Sequence, residues 1–260
     1  MWAISILKHQ SDEIKKGAFM NGLSSVFNLL AYIAAAVFVL GFLNKVVLYF
    51  KTPSPLKIPT TPAPKTSMGV VVRLIPEVLF FRSLLKGGAA EKILWLGGWV
   101  FHVSFLLIIL RHLRFFTYPV PGFVMSFQQI GIWAGLVFPL ALLILIVRRF
   151  LNDRLVTITL FADYFVLGLI ITIGLTGLLL KYFARTNLVD VKAFILGLLT
   201  LSPVQIPDSP MFLIHFSLVL ILLVYFPFSK LMHAWGILIS PTRAQVDNPQ
   251  EVRHVTPWAQ

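Results

Sequence analysis

The chain has 260 residues, of which 58% are hydrophobic and only 12% charged, with a mean hydropathy of +0.87. A soluble domain carries about twice that charge, so the composition excludes a soluble globular protein and points to an all-α integral membrane protein. The absence of cysteine excludes disulfides, thiolate haem ligation and a Cys-ligated iron–sulfur cluster within the chain. A formal charge of +12 would suggest nucleic acid in a soluble protein. Here the basic residues flank apolar segments and set orientation, so membrane lipid is the expected surrounding and no nucleic acid is.

The start, MWAISILKHQSDEIKK, has a short apolar run followed by its charges and no small-residue cleavage site. That differs from a signal peptide, and the first membrane helix is expected to act as the insertion signal. Five segments are long and apolar enough to span, at roughly 26–49, 93–113, 127–148, 157–181 and 211–231. Between the first two lies a proline-rich linker, KTPSPLKIPTTPAPK, expected to be extended. Then comes VVVRLIPEVLFFRSLLKGG, whose spaced charges suit a helix lying in the interface. The 182–210 loop carries a further apolar run, VKAFILGLLTLSPVQIP, too short for a sixth span and read as an outer lid or re-entrant piece.

With the N-terminus outside, fourteen Lys/Arg fall inside and eight outside, which favours N-out, C-in. Residues 1–25 are then an outer segment. Residues 26–236 form the membrane domain, including an inner interfacial segment 51–92, and 237–260 form an inner tail.

Four histidines lie in or just beyond the spans. His102 and His112 are ten residues apart on the second, about 80° apart around the helix and roughly 15 Å along it. His215 and His233 are eighteen apart on the fifth, which on one continuous helix is five turns, one face and roughly 27 Å. Antiparallel running pairs His102 with His233 near the inner side and His112 with His215 near the outer. An intramembrane histidine is costly unless hydrogen-bonded or ligating. Two pairs at matching depths suit bis-imidazole haem iron, with b-type attachment because no CxxCH is present. The two spacings differ by about 12 Å, and Pro227 offers a kink to absorb part of that.

Arg111, Arg114 and Lys230 stand beside these ligands as either propionate partners or ordinary boundary charge. Asp163, near the inner end of the fourth span, is either a proton relay or haem-edge acceptor, or a helix-start residue. Gly97–Gly98, Gly174 and Gly177 allow close approach of helices or a macrocycle. His9 and His254 match no pair and are expected at the surface. Two other classes stay open on the residues alone: a non-haem membrane anchor, and a transporter using Asp163 and the histidines as a proton path.

The histidine spacings, the run YFPFSKLMHAW and the segment FADYFVLGLIITIGLTGLLL resemble the gamma-subunit family of respiratory nitrate reductase over residues 28–236. That resemblance implies five spans, N-out and C-in, two haems b and electron transfer from quinol to a cytoplasmic partner. It assigns His102/His233 to the inner haem and His112/His215 to the outer. Three features depart from the nitrate branch: a longer segment between spans one and two, RHLRFF around the outer ligand, and the tail SPTRAQVDNPQEVRHVTPW. All three look more like the M subunit of the DsrMKJOP complex of dissimilatory sulfur metabolism. Similarity to that branch implies menaquinone as substrate and a cytoplasmic iron–sulfur partner, the heterodisulfide-reductase-like K subunit. It also implies a periplasmic cytochrome c, a second membrane subunit and placement in the cytoplasmic membrane. The segment 70–92 and the tail 237–260 are the expected docking region. Gln128–Gln129 stand where the nitrate branch carries a lysine early in its third helix, and are the candidate quinone contacts.

Overall fold

The computed structural model describes residues 2–52, 59–240 and 242–247. Among these the regular elements are all helical. Helix α1 covers Trp2–Lys51, α2 Ser67–Phe80, α3 Arg82–Leu85, α4 Ala89–Phe116, α5 Gly122–Ser126 and α6 Gln128–Leu151. They are followed by α7 Asp153–Ile158, α8 Phe161–Tyr182, α9 Leu188–Leu199, α10 Pro210–Tyr225 and the single turn α11 His233–Gly236.

Five helical stretches among the described residues are long and apolar enough to cross a membrane: Met20–Lys51, Ala89–Phe116, Gln128–Leu151, Phe161–Tyr182 and Pro210–Phe228. The chain is a multi-pass membrane protein. The first stretch belongs to one unbroken 50-residue helix, so no break separates the expected 1–25 segment from the span. Residues 53–58 of the proline-rich linker and the side chains of His9 and His254 lie outside the described residues.

Packing divides the chain into two compact units, Met1–Val37 with Val100–Val224, and Phe38–Trp99 with Tyr225–Gln260. The first unit's core gathers Met20, Val191, Phe194, Ile206 and Phe212, with Phe27 and Phe216 packed against it. Phe194 is 0% exposed and meets Phe212 and Phe216 edge-on, at 6.1 and 5.4 Å. Val191, Phe194 and Ile206 thus make the 182–210 segment, expected as an outer lid or re-entrant piece, a contributor to the core. Its helix α9 starts at Asn187, whose side chain accepts from Val189 N at 3.0 Å. Tyr32 Oη donates to Leu198 O at 3.2 Å, and Ile206 N donates to Ser24 Oγ at 3.0 Å. These bonds tie α9 and the irregular stretch after it to α1. Its 12 residues rise only about 18 Å, too little to cross a bilayer.

In the second unit the polar stretch before α2 and the chain after α11 are bonded to each other. Thr60 N donates to Thr242 O at 2.8 Å and Asp247 N to Pro64 O at 2.7 Å. Arg243 reaches Glu77 Oε2 and Ser83 Oγ, both at 3.0 Å. Thr66 caps α2 by accepting from Gly69 N at 3.1 Å. Phe81 (φ 48°) takes the left-handed conformation that ends it.

The fifth span ends as an α-helix at Tyr225 and continues as two 3₁₀ turns, Phe226–Phe228 and Lys230–Met232. Pro227 has no N–H to extend the α-helical ladder. Ser229 then restarts the chain, its Oγ accepting from Leu231 N at 3.2 Å. The expectation that His215 and His233 leave one face of one helix is therefore corrected: no continuous helix joins them.

Candidate functional site: anchored imidazoles

His112 lies in the last turns of α4, with Nδ1 2.7 Å from the carbonyl oxygen of Ile108. A carbonyl can only accept, so Nδ1 carries the proton and Nε2 keeps a free lone pair. His102, nearer the start of α4, meets the Phe101 ring edge-on at 4.8 Å. Phe101 in turn packs on Phe105 and Phe138, at 6.0 and 5.4 Å, giving the site aromatic walls.

His215 stands in the second turn of α10. Its Nδ1 is 2.9 Å from Oγ1 of Thr176 on α8. The Thr176 hydroxyl already faces the carbonyls of Thr172 and Ile173, at 2.9 and 3.0 Å. Its hydrogen is used there, so its oxygen accepts from His215 Nδ1–H. That leaves Nε2 as the ring nitrogen that would take a metal. The Ile173 carbonyl also bonds the ring. Thr176 is 7% exposed. The next residue, Gly177, is so close that a Cβ there would lie 3.4 Å from His215 Cε1. His112 and His215 both belong to the first unit.

His233 belongs to the second unit, where it opens α11. Its Nδ1 is 2.7 Å from Lys230 O, the same anchoring seen at His112 but through a 3₁₀ turn. Around it, Trp235 meets Phe42 edge-on at 6.3 Å and leaves its buried indole Nε1 without a hydrogen-bond partner. Gly41 lets Pro227 approach α1, since a Cβ there would meet the proline ring at 2.8 Å.

The other candidates are distributed as follows. Arg111 lies across α6 at Gly131, where a Cβ would come within 2.9 Å of Arg111 Cδ, and its buried Nε has no hydrogen-bond partner. Arg114 sits over the Phe115 ring at 5.6 Å. Gln128 and Gln129 are the first two residues of α6, half-buried and exposed respectively. Gln128 is one turn before Gly131 and shares its helix face with the Arg111 contact. Lys230 contributes its carbonyl to His233. Asp163, 6% exposed, accepts from Leu160 N at 3.2 Å and faces Arg149 at 3.6 Å. That geometry caps α8 and sets the acid beside a cation.

Sequence reasoning missed Thr176 and Arg149. The only local signal for Thr176 is its setting in GLTG, where small residues on both sides permit close approach. Among the described residues no group of three or more His, Asp or Glu converges as for a bare metal ion.

Residues 68–254 match the family model described as nitrate reductase gamma subunit. The chain is also similar to two proteins named Hdr-like menaquinol oxidoreductase cytochrome b-like subunit. That of Archaeoglobus fulgidus is 36% identical, over 88% of this chain and 82% of the relative. That of Archaeoglobus profundus is 34% identical, over 90% of this chain and 82% of the relative.

Proposed function

Because the chain belongs to the nitrate reductase gamma subunit family, a quinol-linked electron-transfer family of membrane subunits, we propose that it is a di-haem b cytochrome exchanging electrons between menaquinol and a cytoplasmic iron–sulfur partner. The observation that carries this reading is the common anchoring of His112, His215 and His233. Each has its Nδ1 within hydrogen-bond distance of a fixed oxygen, and Nε2 is the ring nitrogen that would take a metal. Metal-bound histidines have this outer-shell arrangement, which fixes the tautomer and ring orientation and raises ligand basicity.

Two haems b would supply one-electron carriers without an open coordination position. His112 and His215 would hold the outer one and His102 and His233 the inner one. The unpartnered Arg111 Nε beside His112 fits a propionate oxygen, which would satisfy a buried donor that is otherwise costly. Arg114 and Lys230 are the further cations at the two ligand positions. Quinol would bind on the outer side, with Gln128 and Gln129 as candidate contacts. Its oxidation releases protons there, while electrons pass inward to the docked partner. The charge distribution supports an N-out, C-in orientation, and the resemblance to the family supports placement in a cytoplasmic membrane.

The names of the two relatives favour the heterodisulfide-reductase-like branch over the nitrate branch. In a DsrMKJOP-type setting the partner is the K subunit, with a periplasmic cytochrome c and a second membrane subunit alongside. A sulfur-oxidising host would run electrons in reverse, toward quinone.

A pyridine-haemochrome assay on the purified full chain tests the reading. Two haems b per chain is the expected result, and none would leave a non-haem anchor or a transporter as the surviving alternatives. Quinol-driven haem reduction, blocked by a quinone-site inhibitor, then separates a quinol-reactive subunit from a plain conduit.

A further inference from the structure

Helix α2 is inside out for a helix in water. Its exposed face consists of Met68 (71% exposed), Val71, Val72, Ile75 and Leu79. These positions follow the i, i+3, i+4, i+7, i+11 pattern of a single helix face. The polar side chains Arg73 and Glu77 lie on the opposite face with Val70 and Leu74, turned toward the protein. Glu77 is held there by Arg243, and Arg73 keeps one guanidinium nitrogen buried. Water would select the reverse arrangement, because the apolar residues have the most to gain from burial. A contiguous apolar face of this kind marks a surface that meets something apolar.

The surroundings of α2 indicate what that is. Its last turn is fastened to the beginning of α4: Trp95 Nε1 donates to Phe80 O at 2.7 Å, and Trp99 Nε1 donates to Leu79 O at 2.9 Å. The two indoles stack at 5.7 Å. Helix α4 is one of the membrane-crossing stretches, and paired tryptophans at the start of a span sit at headgroup level. With 14 residues, α2 is about 21 Å long and cannot cross a bilayer core. Exposed cations follow at Arg82, Lys86 and Lys92, where snorkelling side chains would meet anionic headgroups.

We infer that α2 is an in-plane membrane helix. Its Met68–Leu79 face enters the headgroup–acyl boundary, Trp95 and Trp99 pin its depth, and Arg82, Lys86 and Lys92 bind anionic lipid. The partner is the lipid surface itself, independent of whether the histidines carry haem.

The chain has no cysteine, so V72C and I75C each place a single thiol on the stripe, and T60C places one in the polar stretch before α2. Each full-length variant is labelled with bimane in nanodiscs of phosphatidylcholine, with or without phosphatidylglycerol. Labels at 72 and 75 should lose most of their emission to a shallow lipid-borne nitroxide and little to aqueous iodide, with the reverse at 60. Iodide quenching at 72 and 75 equal to that at 60 would put the face in water and overturn the inference. Shielding from both quenchers would mean that protein covers it, whether the chain's own tail, a second copy or another subunit, and would overturn it equally. Phosphatidylglycerol should shift the emission at 72 further to the blue, and R82Q/K86Q/K92Q should abolish that extra shift. Identical emission in the two lipids would refute the role given to the cations.

Discussion

Thr176 Oγ1 lies 2.9 Å from Nδ1 of His215, so the orientation of an imidazole on α10 is held by a hydroxyl on α8. His112 and His233 are anchored differently, to carbonyls of their own local turns. The bond to Thr176 therefore makes His215 sensitive to a residue far away in sequence. Thr176→Val deletes one of its two acceptors while keeping the shape. The ligand becomes less basic, and the midpoint potential of one haem should rise while the other stays fixed. Thr176→Ser should restore the wild-type value. Redox titration with low-spin EPR checks this, and a Val variant unchanged in both signals would make Thr176 a packing residue only.

The ligand assignment is tested by deletion. His112→Ala and His102→Ala should each reduce haem content from two to one per chain, because one lost imidazole removes a haem without touching the other pair. A haemochrome assay on each variant decides it. Retention of both haems in either would refute the assignment.

Gly177 gives a steric test of the same site. A methyl at this position would lie at ordinary, slightly tight contact with His215 Cε1, 3.4 Å away. Gly177→Ala should keep both haems, whereas Gly177→Leu should displace the ring and lose one. The haem remaining in the Leu variant should titrate as in the wild type.

Arg111 carries the electrostatic prediction. A guanidinium beside a haem favours the reduced, less positive state. Arg111→Gln should therefore lower one midpoint potential, on the order of tens of millivolts for a partly screened charge. Unchanged potentials would reduce Arg111 to boundary charge.

Much of this was readable from the sequence because it depends on local pattern. The spans follow from uninterrupted apolar length, whereas the histidine pairs rest on spacing and belong to the proposal. What was not readable depends on contacts between distant segments. Nothing near residue 163 reveals that Arg149 faces Asp163, so relay and helix-start readings stayed open. The stretch around α9 reads as an outer lid or re-entrant piece because its length rules out a span. Its role in the core depends on Phe194 meeting Phe212 and Phe216, which no local pattern encodes. Pro227 signalled a bend, but not that the α-helix would give way to two 3₁₀ turns.

Asp163 leads to a stability prediction, not a catalytic one. Asp163→Ala removes both the bond to Leu160 N and the facing charge of Arg149. It should cost about 0.5–2 kcal/mol, the usual range for losing a helix cap. Asp163→Asn keeps a capping oxygen and should cost less. Thermal unfolding in detergent measures both. Quinol-driven haem reduction should survive in each variant, and its loss in Asp163→Asn would return the relay reading.

The interruption after Tyr225 also bears on how freely this part of the chain can vary. On one uninterrupted helix, inserting a residue between two ligands would rotate the second by about 100° relative to the first and destroy their common phase. Here His233 takes its bearing from Lys230, three residues before it, through a turn that restarts at Ser229. Its aim is set afresh within a few residues. Relatives can therefore differ in length between Tyr225 and Ser229 without either imidazole losing its anchor.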